Sequence, residues 1–136
     1  MVPVGNIDLT PNRTLMLEAS LDNFSAVDFN KGCYIGQEVT ARTKYRGLIK
    51  RKIVPISSKS LLKKDMIIFQ DQKEVGSCLS SVGLEDGSFL ALATLRLEAI
   101  KSFIDAKDSL NSEIASVYIA LPNWYDLKTG SKKLEL

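Results

Sequence analysis

Downstream of Gly47 the chain never sustains an apolar stretch for long. Ile53–Ile56, Met66–Phe69, Glu74–Leu79, Phe89–Leu95 and Ile114–Leu121 are short apolar or alternating runs. Ser57–Ser60, Gln70–Gln72 and Gly83–Gly87 separate them with turn-forming residues. Alternation puts every second side chain on one face, so each run can bury only one side or a few residues. Several such strands at close spacing predict a small antiparallel barrel or sandwich. In the last run Ala115, Val117, Ile119 and Leu121 share a face. One helix, at about 96–107, interrupts the pattern with an apolar stripe of Ala99, Ile100, Phe103 and Ile104.

Residues 1–47 read differently. Asn6–Arg13, with Asp8, Pro11 and Asn12, is a loop pattern. Leu15–Leu21 fits a short strand or a single helical turn, and Val27–Phe29 fits a short strand. A helix is predicted at about 35–46. Tyr34, Glu38, Ala41, Arg42 and Tyr45 lie on one face, Glu38 and Arg42 form an i, i+4 ion pair, and Gly47 follows Arg46 as a C-cap. The class is therefore α+β, with a boundary near Gly47–Leu48. The 1–47 part has too few core residues to fold alone and must pack on something.

The 136 residues contain no histidine and two cysteines. This excludes Ser-His-Asp and Cys-His relays, histidine metal ligands, and a four-ligand thiolate–imidazole metal site within one chain. No metal site is expected. Cys33 and Cys78 have no CxxC spacing, and the start of the chain has no signal-peptide pattern, so a cytoplasmic location with reduced thiols is expected. The most apolar run, Phe89–Leu95, is far shorter than the roughly 20 residues a membrane helix needs. Cys78 reads as a packing residue and Trp124 as a core or domain-contact aromatic.

Charge is uneven. Lys31–Lys52 holds seven basic residues and one acid, a segment net of +6 against −4 elsewhere. Such a segment is either a solvated helix face running into an edge strand or an anion site. Its start, Lys31-Gly32-Cys33-Tyr34-Ile35-Gly36-Gln37-Glu38, clusters a thiol, an ammonium, a phenol, a carboxamide and a carboxylate around two glycines. The glycines permit positive φ or close approach of a ligand to backbone. Cys33, expected just before or at a helix N-terminus with Lys31 nearby, is either a reactive thiol or a small packing residue.

The stretch KGCYIGQEVTAR, Lys31–Arg42, resembles the signature of the YgfZ-type folate-binding proteins, relatives of the glycine-cleavage T-protein (aminomethyltransferase). Eight consecutive positions match, followed by Arg42 and Arg46-Gly47. Leu90–Leu97 and Leu121–Trp124 are similar to pieces of that family's C-terminal β-domain. The resemblance implies the tail of a T-protein-like folate-binding domain (1–47) followed by a C-terminal β-barrel domain (48–136). It also implies a longer N-terminal portion ahead of this chain, so residues 1–47 are expected to meet that missing half or to self-associate.

The implied function is a tetrahydrofolate-binding factor that supports assembly or repair of iron–sulfur enzymes, including those that modify tRNA. Leu17–Asp22 resembles a T-protein segment whose Glu contacts the pterin, with Ser20 in place of glycine and Met16 in place of proline. Glu18 is the corresponding pterin ligand, because a carboxylate can accept two adjacent N–H donors. The motif implies Cys33 as the working thiol and Lys31 as its support. Tyr34, Gln37, Glu38, Arg42 and Arg46 join Glu18 around the folate, and Arg42, Lys44 or Arg46 would suit its glutamate tail. The rival functions are an aminomethyltransferase proper and a small basic RNA-binding barrel. The first is disfavoured by the KGCYxGQE form and the second by the lack of an aromatic-rich strand pair. Folate and iron–sulfur client enzymes are the expected partners, without membrane or nucleic acid.

Overall fold

The computed structural model describes residues 1–46, 49–106, 109–123 and 125. Six strands close into an antiparallel barrel: β1 (Arg51–Ser58), β2 (Ile67–Gln70), β3 (Lys73–Gly83), β4 (Phe89–Arg96), β5 (Leu110–Ser112) and β6 (Ser116–Ile119). Around the barrel the order is β1-β4-β3-β2-β5-β6, and β6 pairs back onto β1. The helices are α1 (Gly5–Asp8), α2 (Gln37–Tyr45) and α3 (Leu97–Ala106). No helix among the described residues is long and apolar enough to cross a membrane.

The expected barrel is present, and the predicted helices fall at α2 and α3. All five predicted runs form strands near their predicted places, as β1, β2, β3, β4 and β6. β5 lies ahead of the fifth run and was not predicted; a turn in which the Ser112 hydroxyl bonds the Ala115 backbone joins it to β6. β5 has three residues and no periodicity of its own; it exists because it bridges β2 and β6. Asn6–Arg13 contains the short helix α1 rather than only loop. Leu15–Leu21 is a succession of turns, not a strand, and Val27–Phe29 is not a strand.

Alternation on β1 and β4 divides two cores. Val54, Ile56, Ala91, Ala93 and Leu95 point inward with Ile68, Val75, Cys78, Leu110 and Val117. α3 adds Ala99 and Ile100 to this interior, and Phe103 packs against it. A six-stranded barrel is narrow enough for side chains to fill it, so this is a solid core. Cys78 is buried there, and burial, with Asp65 and Asp8 adding smaller effects, pushes its thiol pKa up to about 11. It is a packing residue, as expected.

The outer core is smaller. Ile53 and Leu92, on the opposite faces of β1 and β4, are covered by Ala19, with Leu9, Leu21 and Leu79 packed around them. The N-terminal segment therefore lies against the outside of the barrel wall. Burial on both faces explains why five consecutive residues of β1, from Lys52 to Ile56, are all buried. The attachment is hydrogen-bonded as well as apolar. Ile53 N–H donates to the Glu18 carbonyl at 2.7 Å. The Ile53 carbonyl accepts from the Tyr125 hydroxyl at 3.1 Å and the Ser20 hydroxyl at 3.5 Å, and the two hydroxyls also bond each other.

Candidate functional site

Ser20 sits at φ 59°, a backbone conformation that suits glycine. The T-protein-like segment has glycine at that position, and the dihedral supplies the reason. Ser20 retains the conformation because its buried hydroxyl is held at the barrel wall. The turn so fixed carries Glu18. Its Oε2 accepts the Leu15 N–H at 3.2 Å, and its other oxygen has no partner among the described residues. A carboxylate has about four lone-pair sites, so most of its accepting capacity remains open.

The motif loop enters α2 through Gly36, the N-cap, at φ 86°. A Cβ there would meet nothing within 4 Å, so the dihedral, not space, calls for glycine. The Gly36 carbonyl accepts both the N–H and the hydroxyl of Thr40, each at 3.2 Å. Gln37 opens the helix, half-buried, and its N–H donates to the Tyr34 carbonyl at 3.2 Å.

One expectation for this loop needs correction. α2 begins at Gln37, so Cys33 lies three residues before the N-cap and not at the helix N-terminus. The field of a helix end fades within its first turn, which removes the dipole from the case for Cys33. The Lys31 ammonium lies 4.7 Å from the centroid of the Tyr34 ring. Cys33 itself is exposed, as is Ile35 beside it. The Tyr34 hydroxyl is buried and has no hydrogen-bond partner among the described residues.

The remaining basic candidates divide. Arg42 reaches Glu38 at 3.9 Å, the expected i, i+4 pair, but both side chains are well exposed and such a pair contributes little. Lys44 lies 3.5 Å from the Phe29 ring centroid. Arg46, the exposed C-cap of α2, has no side-chain partner among the described residues. The side chain of Tyr45 and all of Trp124 lie outside the described residues.

Glu18 and the motif do not touch, but their neighbours share a groove of about 280 Å³. Leu15, Met16 and Leu17 form one wall, and Gly36, Val39 and Thr40 the other. Leu15, Met16 and Val39 are exposed along it. Among the described residues, no group of three or more His, Cys, Asp or Glu side chains could hold a metal ion.

Comparison with known proteins matches residues 50–127 to the family model "CAF17, C-terminal beta-barrel domain". This chain belongs to the YgfZ-type family that carries this C-terminal β-barrel domain. It is 34% identical over 130 residues to the mouse (Mus musculus) protein "Iron-sulfur cluster assembly factor IBA57, mitochondrial", covering 91% of this chain and 35% of that protein. The human (Homo sapiens) protein of the same name gives the same identity and coverage. The homologue from Phaeosphaeria nodorum is 49% identical over 55 residues, 40% of this chain and 14% of its own. The chain thus spans about a third of the length of the mouse and human relatives.

Two features were not foreseen: the Ser20–Tyr125–Ile53 tie and the full burial of Lys52, whose ammonium lies 5.3 Å from the Tyr125 ring centroid. No local signal marks either, since both join residues far apart in sequence.

Proposed function

We propose that this chain is the C-terminal part of a tetrahydrofolate-binding factor that supports assembly or repair of iron–sulfur enzymes. The iron–sulfur side of the reading rests on family membership and on the names of the relatives. The folate side rests on one observation: Leu15–Leu17, next to Glu18 in the chain, line a single groove together with Gly36 of the motif and Val39, Thr40 and Thr43 of α2.

Glu18 would accept the side-by-side N–H donors of a pterin through its open lone pairs. The barrel wall holds the backbone of this turn through the Ile53 N–H. The orphaned Tyr34 hydroxyl has an unmet hydrogen bond that a bound polar group could satisfy. Bound tetrahydrofolate supplies amines that carry a one-carbon unit. Cys33, exposed on the loop, is the thiol offered to a client protein. The exposed apolar residues Ile35, Val39, Leu15 and Met16 are where the remainder of the folate domain, or a second copy, would pack.

Calorimetry with tetrahydrofolate on the full-length protein and its Glu18→Ala variant tests the assignment. Weakened binding supports it, and equal affinity removes Glu18 from the site. Cys33→Ala should fail to complement an iron–sulfur-enzyme defect, whereas wild-type complementation would sink the thiol's role.

A further inference from the structure

The barrel register brings together positive charges that sequence distance keeps apart. Arg51 opens β1 and Arg96 closes β4, and the two are directly paired across the ladder. Like charges in that position repel, and a fold normally avoids or compensates the pairing. Here it is reinforced. Lys50 precedes Arg51, and Lys101 projects from the first turns of α3 into the same cleft, which measures about 600 Å³. The Leu97 N–H donates to the Lys50 carbonyl at 2.9 Å, fastening the two walls together at the positive end of the ten-residue α3. All four basic side chains are exposed, and none makes an ion pair among the described residues. Among the described residues, Glu98 is the one acid in the lining.

We propose that this cleft binds a small multivalent oxyanion, a chain of phosphates or of carboxylates, ligated by Lys50, Arg51, Arg96 and Lys101. Two guanidinium forks from adjacent strands can each hold an oxyanion through paired N–H donors, and the two ammonium groups add point charges on either side. The concave shape and the volume suit a small ligand. Among the described residues the lining has no aromatic side chain, so a nucleic acid would find phosphate contacts but no stacking platform there. The site is separate from the Glu18 groove and does not depend on folate binding.

The test uses the 136-residue chain with sodium tripolyphosphate and with γ-linked triglutamate as probes, by calorimetry at low ionic strength. The variants are Arg51→Gln/Arg96→Gln and, as a control outside the cleft, Lys59→Gln. At least one probe should bind the wild type, and added salt should weaken it. The double variant should lose at least roughly tenfold in affinity, while Lys59→Gln should bind as wild type. Tripolyphosphate alone binding assigns a phosphate ligand, and triglutamate alone a carboxylate one. In the absence of probe, the double variant should melt at the wild-type temperature or above, because the facing charges are gone. That result also shows that it is folded. The proposal fails if neither probe binds, or if the double variant binds as wild type. It also fails if affinity for single-stranded RNA rises with length and exceeds that for both probes.

Discussion

Replacing Gly76 by alanine should unfasten the middle of the barrel. Gly76 lies on β3 between Ile68 of β2 and Leu95 of β4. A Cβ added there would stand 1.9 Å from the Thr94 carbonyl oxygen and 2.8 Å from Leu95 Cδ2. Real Cβ contacts do not fall below 3.0 Å, so the strands must part by about 1 Å. The obstacle is backbone, so no rotamer change relieves it. Overpacking of this kind costs ~1–3 kcal/mol. Each ladder hydrogen bond stretched past its range adds ~1 kcal/mol. We expect a loss of about 3–5 kcal/mol, a large share of the ~5–15 kcal/mol that stabilises a typical domain. The thermal midpoint by circular dichroism should fall by roughly 10 °C or more. Gly83→Ala is the internal control. It makes the same substitution on the same strand, but its Cβ would meet Phe89 Cε1 at 3.6 Å, an ordinary contact. That variant should melt within about 3 °C of wild type. If Gly76→Ala behaves like Gly83→Ala, the β3–β4 register and the closure argument are wrong.

Ser20→Ala and Ser20→Gly separate conformation from bonding at the N-terminal attachment. Both lose the hydroxyl shared with Tyr125 and Ile53, but only glycine relieves the positive φ. Chemical denaturation should therefore rank Gly above Ala by about 1 kcal/mol, and the reverse order would contradict the left-handed backbone. Thiol labelling with a chromogenic disulfide at pH 8 should find one reactive cysteine, Cys33, in the folded chain and two after denaturation, because Cys78 is buried. The same burial gives stability a pH dependence. The Cys78 pKa is near 9.0 when unfolded and about 11 when folded, so the unfolded state loses its proton first. The contribution is fully present below pH 9 and lost as pH rises to about 11. Cys78→Ser should flatten that part of the alkaline stability profile, and an unchanged slope would reject the assignment.

Much of the barrel was legible because alternation is local. Phe89–Leu95 and Glu74–Leu79 read as strands from their own side chains, whereas the close backbone approach at Gly76 came only from the structure. β5 was not legible, since three residues carry no period. The continuation of β3 to Gly83 was also hidden, because pairing with β4 sustains it beyond the apolar pattern. Within the candidate site, the motif glycine Gly36 and the Glu38–Arg42 pair were readable, being contacts within one turn of helix. The start of α2 was misplaced because Tyr34 looks like part of the helical face, yet only Gly36's left-handed dihedral decides where the helix begins.

What the sequence determined by itself is the strand-forming region, the two main helices and the family, since each depends on neighbouring residues or on a contiguous motif. The tertiary structure alone decided how the parts face one another. It set Glu18 against Ile53 and seated residues 9–21 on the outer barrel wall. It opposed Arg51 to Arg96, 45 residues apart in the chain. The physical reason is that strand order and register are set by closure of the whole barrel. A one-residue slip would send every side chain to the other face, and no single segment carries that information.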